Sequence, residues 1–153
     1  MSYRIDYSEE VSAVVSRLKE EHKETDKKLQ RIAAICDKKD RNLNVAISLL
    51  NALSPQILRH AVEEEARLAR VIMQSNKTIK RSYKSVGILQ DHRRIKEFLE
   101  DELPHLLNEN SDNETRKKIK AFVSTMIEHH REEEEVLFPL AMKADIDTTP
   151  VGR

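Results

Sequence analysis

The sequence has few of the residues that phosphate-binding loops, tight hairpins and disulfides require. Only two glycines, Gly87 and Gly152, occur among 153 residues. This scarcity excludes glycine-rich phosphate loops, dinucleotide fingerprints and β folds with many tight turns. The single cysteine, Cys36, excludes an internal disulfide and a cysteine-rich zinc site, and we expect it to be a small core residue. No apolar run reaches membrane-spanning length, and the N-terminal residues contain no signal-like apolar stretch.

An excess of charge of one sign is also missing. Lys and Arg total 27, Asp and Glu total 27, and the formal net charge is zero. This balance gives no general attraction to nucleic acid or to an anionic membrane, so we expect neither as a partner. The hydrophobic fraction of 39% is sufficient for one core. We therefore expect a soluble, cytoplasmic, single-domain protein.

The sequence does have hydrophobic residues spaced by three and four, a pattern typical of amphipathic helices. Four segments carry it, at about 8–36, 42–73, 82–107 and 112–144. Four long helices with short connections predict an all-α, up-down-up-down four-helix bundle. We assign residues 8–144 to this bundle, residues 1–7 to an N-terminal extension and residues 145–153 to a flexible C-terminal tail.

Capping and breaking residues predict where the helices begin and bend. Ser8 is the predicted N-cap of the first helix, and Asp112 or Asn113 that of the fourth. Ser54-Pro55 predicts either a kink in the second helix or a new helix start, because proline lacks the N–H donor.

Four of the six histidines fall on the apolar face of their helix, one in each predicted helix. They are His22, His60, His92 and His129. Two of them carry a glutamate one turn later on the same face, namely Glu64 after His60 and Glu133 after His129. Burying imidazoles and carboxylates costs free energy unless they find partners. Convergence of all six on metal is therefore predicted. His105, which follows a proline, is expected at the end of the bundle or on its surface.

The number and type of these ligands predict the kind of site. Four imidazoles and two carboxylates are too many for one tetrahedral zinc ion. They suit two metal ions, each held by two imidazoles and joined by two bridging carboxylates. Imidazole mixed with carboxylate suits iron, copper or zinc more than calcium or magnesium.

The ordered set resembles the hemerythrin-like (HHE cation-binding) domain family. That family has a lone His on helices one and three, His-x-x-x-Glu on helices two and four, and a Leu-Phe-Pro element after the last ligand, as in EHHREEEEVLFP here. The resemblance implies a hemerythrin-like bundle that holds two iron ions (Fe²⁺/Fe³⁺) with an oxo or hydroxo bridge. The implied ligands are His22, His60, Glu64, His92, His129 and Glu133.

One choice of ligands stays open in the fourth helix. His130 with Glu134 is the alternative register to His129 with Glu133. The apolar face that His129 shares with Met126, and its distance to the Leu-Phe-Pro element, favour His129 and Glu133.

By the resemblance, a coordination position is left on one or both irons for O₂, NO or peroxide. We expect a dry pocket around it, lined by Leu18, Ile57, Ile88, Ile95, Met126 and Leu137. Glu21, Asp26 and Glu63 are candidates for carboxylates that support the ligands. Oxygen-carrying hemerythrins have a further histidine where Lys96 stands, and end with a five-residue spacing to Asp rather than four to Glu133, which argues against reversible O₂ carriage.

Three hypotheses about function follow. The first is a di-iron protein that binds or senses a small ligand or iron. The second is a di-iron enzyme acting on peroxide, O₂ or NO, or an iron storage or repair protein. The third is a structural bundle whose histidines are merely buried, with adventitious zinc.

Overall fold

The structure is a computed structural model that describes residues 4–38 and 42–148. The first three residues of the predicted N-terminal extension lie outside the described residues. So do residues 39–41 of the first connection and residues 149–153 of the predicted tail. The domain division predicted above stays a prediction.

Four long helices and one short helix make up the described chain. α1 is the α-helix Val11–Asp37, and α2 occupies residues 43–73. The short α3 is Lys77–Val86. α4 occupies residues 88–109, and α5 occupies residues 112–148. The described residues contain no β-strand, and the predicted all-α four-helix bundle is confirmed.

Three of the long helices are continuous but include π-helical turns, which hold one residue more than an α-helical turn. α2 consists of α-helix Leu43–Glu64, a π-helical turn Glu65–Ala69 and α-helix Arg70–Met73. α4 consists of α-helix Ile88–Glu97, a π-helical turn Phe98–Glu102, a 3₁₀ turn Leu103–His105 and α-helix Leu106–Glu109. α5 consists of α-helix Asp112–Glu132, a π-helical turn Glu133–Leu137 and α-helix Phe138–Thr148.

Several helix ends differ from those predicted. α1 begins at Val11 with Glu10 at its N-cap, rather than after Ser8. The Ser8 hydroxyl and N–H instead both donate to Asp6 Oδ1. The N-cap of α5 is Ser111, whose side chain accepts a hydrogen bond from the Glu114 N–H at 3.2 Å. α5 continues to Thr148, beyond the predicted end near residue 144.

Proline and glycine act differently in the two middle segments. Pro55 lies inside Leu43–Glu64 without ending it. The carbonyl that loses its donor belongs to Asn51, which is exposed, so water can replace the missing hydrogen bond. The third predicted segment is instead divided at Gly87. Its φ of 67° is in the left-handed region, which glycine adopts without the steric cost of a Cβ. This glycine ends α3 and begins α4.

The buried side chains form two apolar clusters. The first cluster joins α1, α2, α4 and α5 around Leu29, Leu50, Leu103 and Ile119, and includes Cys36, as predicted for a core cysteine. The second cluster lies around Leu18, Leu68, Ile88 and Phe138, and α3 adds Ile79 and Tyr83 to it. Buried histidines and glutamates belong to neither cluster.

The described part of the N-terminal segment is attached to α2. Arg67 is buried and donates to the backbone carbonyl oxygens of Asp6, at 2.6 Å, and of Glu9. Its guanidinium also lies 6.0 Å from the ring centre of Tyr7. Among the helices that the structure describes, none is both long and apolar enough to cross a membrane.

Candidate metal centre

The six predicted ligands come from four different helices and are all buried. α1 carries His22, α2 carries His60 and Glu64, α4 carries His92, and α5 carries His129 and Glu133. None of these residues is more than 7% exposed. The i,i+4 spacing within α2 and within α5 places each glutamate one turn from its histidine. The structure therefore brings all six side chains together inside the bundle.

The six side chains form two overlapping groups. One group contains His22, His60, Glu64 and Glu133, and the other contains Glu64, His92, His129 and Glu133. Within each group, the candidate ligand atoms all lie within 4.8 Å of one another. Both glutamates belong to both groups, so the arrangement suits two cations that share two carboxylates.

Each shared glutamate turns one oxygen toward each pair of histidines. Glu64 Oε2 lies 3.1 Å from His60 Nε2, while its Oε1 lies 3.2 Å from His92 Nε2. Glu133 Oε1 lies 3.2 Å from His22 Nε2, while its Oε2 lies 3.1 Å from His92 Nε2. This division of the oxygens is the one expected of bridging carboxylates.

Every candidate histidine has a second carboxylate on its other ring nitrogen. The Nδ1 atom is the one contacted in each case, at distances between 2.9 and 3.3 Å. The pairs are His60 with Glu21, His92 with Glu65, His129 with Asp91, and His22 with Glu134. A carboxylate only accepts, so each Nδ1–H donates outward and each neutral ring keeps its Nε2 lone pair for the centre.

The four carboxylates that contact the Nδ1 atoms each connect two neighbouring helices, and together they link all four long helices in a ring. α1 supplies Glu21 to α2, α2 supplies Glu65 to α4, α4 supplies Asp91 to α5, and α5 supplies Glu134 to α1. Each of them is the sequence neighbour of a candidate ligand, yet it contacts a histidine on the next helix. We call these four residues the outer ring.

The histidine Nε2 and glutamate oxygen atoms that face the middle of the bundle suit the binding of metal cations. His22 Nε2 and His60 Nε2 lie 2.9 Å apart, and two lone pairs at that distance repel unless a proton or a cation lies close to both. The buried oxygens Glu64 Oε1 and Glu133 Oε1 have no hydrogen-bond partner among the described residues. Unsatisfied buried carboxylate oxygens are costly, and cations at the two groups would satisfy them.

Without metal, protons supply the positive charge that the two carboxylates require. Burial lowers the pKa of His22, but contacts with Glu133 and Glu64 outweigh it and raise the pKa to about 10. For His60, burial is likewise outweighed by Glu64 and Glu21, and the pKa rises to about 9. Burial raises the pKa of Glu64, but the surrounding histidines hold it well below its usual value.

The alternative pair in α5 lies beside the two groups rather than in them. Glu134 belongs to the outer ring, and its side chain is 38% exposed. His130 is buried, and its Nδ1 lies 2.6 Å from Asp26 Oδ1. Burial lowers the pKa of His130 despite this carboxylate. Neither His130 nor Glu134 is a member of the four-residue groups.

Of the six apolar side chains expected to line a pocket at the centre, three do so. Ile57, Ile95 and Met126 line a cavity of about 20 Å³ together with ligands of both groups, which has room for about one water-sized molecule. Leu18, Ile88 and Leu137 belong to the second apolar cluster. Lys96 and His105 are both exposed.

Sequence reasoning identified one member of the outer ring and missed the others. Glu21 was a candidate and contacts His60. Asp26 contacts His130 rather than a predicted ligand. Glu63 instead accepts hydrogen bonds from Arg17 and Arg59. The missed residues are Glu65, Asp91 and Glu134. The available signal was an acidic residue directly beside a ligand in the sequence.

Comparison with known proteins agrees with this arrangement. Residues 86–152 match the family model described as the Hemerythrin HHE cation binding domain, and this range carries His92, His129 and Glu133. No curated protein and no solved structure matches the chain. Over residues 86–152, the match confirms the resemblance to the HHE cation-binding domain that the ligand pattern indicated.

Proposed function

We propose that this protein is a non-haem di-iron protein that binds or senses a small ligand. His22 and His60 would hold one ion, His92 and His129 the other, and Glu64 and Glu133 would bridge them. The observation that carries the proposal is the membership of both glutamates in both four-residue groups. A buried histidine cluster of purely structural origin has no need of two glutamates that each divide their oxygens between two sites.

Iron is the metal proposed, for two reasons. The donor set of imidazole nitrogen and carboxylate oxygen suits iron, and the cation-binding family matched by residues 86–152 is the hemerythrin family. When bound, iron supplies redox chemistry and a coordination position open to O₂, NO or peroxide.

The protein's own residues limit what reaches this position. The cavity beside the centre has a volume of about 20 Å³, and Ile57, Ile95 and Met126 form much of its wall. Its size suits a diatomic molecule or peroxide rather than a large organic substrate. A surface cleft of about 550 Å³ has His92 and Glu65 among its lining residues, and we propose it as the side from which a small ligand approaches the centre.

The proposal is tested by elemental analysis and an optical spectrum of the protein purified from iron-supplied cells. Two irons per chain with oxo-bridge charge-transfer bands are the expected result. The matched control is a variant with His22→Ala and His92→Ala, which removes one ligand from each group and should lose both irons. Protein that contains no iron yet has undiminished stability would contradict the proposal.

Ligand addition to the iron-loaded protein separates binding from enzymatic activity. A reversible, stoichiometric spectral change with O₂ or NO would support binding or sensing. Many turnovers of peroxide or NO per protein would instead support the enzyme hypothesis.

A further inference from the structure

A fifth buried histidine lies against the candidate centre without belonging to it. His130 is 4% exposed, and its ring stacks on that of His22 with a centroid distance of 4.0 Å and an interplanar angle of 17°. The ring centroids of His60 and His129 are each 6.1 Å away. His130 thus faces imidazoles of both candidate groups.

One edge of the His130 ring is fixed by Asp26. The Nδ1 atom lies 2.6 Å from Asp26 Oδ1, and since a carboxylate only accepts, Nδ1–H donates to it. The neutral ring then carries an unprotonated Nε2. This is the same arrangement that the outer ring gives the four candidate ligands.

The rest of the His130 ring borders the small cavity beside the centre. Ile57, Ile95 and Met126 contribute apolar wall to this cavity, and Thr25 and His130 contribute polar groups that belong to neither four-residue group. Since Asp26 holds Nδ1, the opposite edge with Nε2 is the one available to a molecule in the cavity.

We propose that His130 is the positioning residue for the small molecule that occupies this cavity, accepting a hydrogen bond through Nε2 from its O–H group. The ligand class is a small oxygen species that carries a proton, such as hydrogen peroxide or water. The inference rests on the proposed di-iron function, because the neighbouring ions are what would retain such a molecule there.

The test compares His130→Leu with His105→Leu, a matched change at an exposed histidine outside the site. Iron content is measured first, and both variants should keep two irons per chain. Each protein is then titrated with hydrogen peroxide and with azide, and binding is followed by the optical spectrum. His130→Leu should weaken hydrogen peroxide binding about tenfold, as expected for loss of one hydrogen bond. Azide has no proton to donate, so its affinity should change less than about twofold.

A third variant distinguishes the loss of the hydrogen bond from a general structural effect of removing the imidazole. The amide oxygen of His130→Gln also accepts a hydrogen bond, so this variant should retain most of the peroxide affinity that His130→Leu loses. Equal affinities in His130→Leu and His105→Leu would overturn the inference and leave His130 as a satisfied core histidine. Iron loss confined to His130→Leu would also overturn it, by making His130 a ligand. Absence of iron from the unsubstituted protein would instead defeat the proposed function itself.

Discussion

Glu134 Oε2 lies 3.0 Å from Nδ1 of His22 and thereby joins the last helix of the bundle to the first. This contact closes the outer ring, in which each helix supplies the carboxylate that orients a histidine on its neighbour. An imidazole held on both sides keeps the tautomer and orientation that a metal ion requires. The candidate centre therefore depends on correct packing of all four long helices at once.

We expect Glu134→Ala to weaken metal binding by about 10- to 100-fold, the usual effect of losing a carboxylate behind a ligating histidine. Affinity is measured by competition with a chelator of known strength. Glu135→Ala is the control, because Glu135 is 60% exposed and pairs with Arg131 at the surface. Equal losses in the two variants, or no loss in either, would count against a role for the outer ring.

Bridging and terminal ligands should behave differently when removed. Glu133→Ala deletes a carboxylate that belongs to both groups, so we expect loss of both irons. His129→Ala deletes a ligand of one group only, so we expect retention of about one iron per chain. Iron per chain after desalting distinguishes the two. Loss of a single iron from Glu133→Ala would show that this glutamate does not bridge.

Removal of metal should loosen the bundle. It takes away the cations that would satisfy the buried oxygens Glu64 Oε1 and Glu133 Oε1. Histidine protons replace this charge only in part, and each buried group left unsatisfied costs about 1–3 kcal/mol. A protein of this size loses about 2–4 °C in Tm per kcal/mol, so we expect chelation to lower Tm by about 5 °C or more. Calorimetry of loaded and chelated protein measures this. The His22→Ala, His92→Ala double variant should show no metal-dependent difference in Tm.

The metal-free protein should become less stable as the pH rises from about 6.5 to about 10. Contacts with the two glutamates raise the pKa of His22 to about 10 and that of His60 to about 9, whereas an unfolded histidine titrates near pH 6.5. A raised folded-state pKa stabilises the fold fully below the unfolded pKa and loses this contribution as the pH passes the folded pKa. Urea unfolding at several pH values measures the effect.

Metal-loaded protein is the control for this titration, because the ions replace the histidine protons. Its urea midpoint should fall less over the same pH range, and the difference between the two forms isolates the histidines from ordinary lysine and tyrosine titration. A metal-free midpoint that stays constant or rises between about pH 6.5 and 10 would contradict the prediction.

The bundle and the placement of the six side chains could be predicted because both depend on periodicity. His60 and Glu64 share a helix face whatever packs against it, and their apolar neighbours indicate that the face is buried. Periodicity did not predict where the helices begin and end, because these positions depend on local hydrogen bonds and backbone conformation. Ser8 has the right residue type for a cap, but Asp6 takes its hydroxyl, and nothing in the spacing indicated that Gly87 would divide the third segment.

The outer ring was harder to predict because it depends on which helix lies beside which. Glu63 and Glu65 flank Glu64 on either side, yet only Glu65 reaches a histidine, whereas Glu63 bonds Arg17 and Arg59. Consecutive residues point about 100° apart around a helix. Choosing between them requires knowing which neighbouring helix each one faces, and that information is in the assembled bundle rather than in the local sequence.

The π-helical turns change the register of the two His-x-x-x-Glu helices just beyond their ligands. Glu65–Ala69 follows Glu64 directly, and Glu133–Leu137 begins at Glu133 itself. If the same residues formed a regular α-helix instead, everything beyond the turn would be rotated by about 100°. Ile72 in α2, or Phe138 in α5, would then turn away from the second apolar cluster. The extra residue in each turn therefore allows one helix to direct its His-x-x-x-Glu pair at the candidate centre and its later apolar residues at the second cluster.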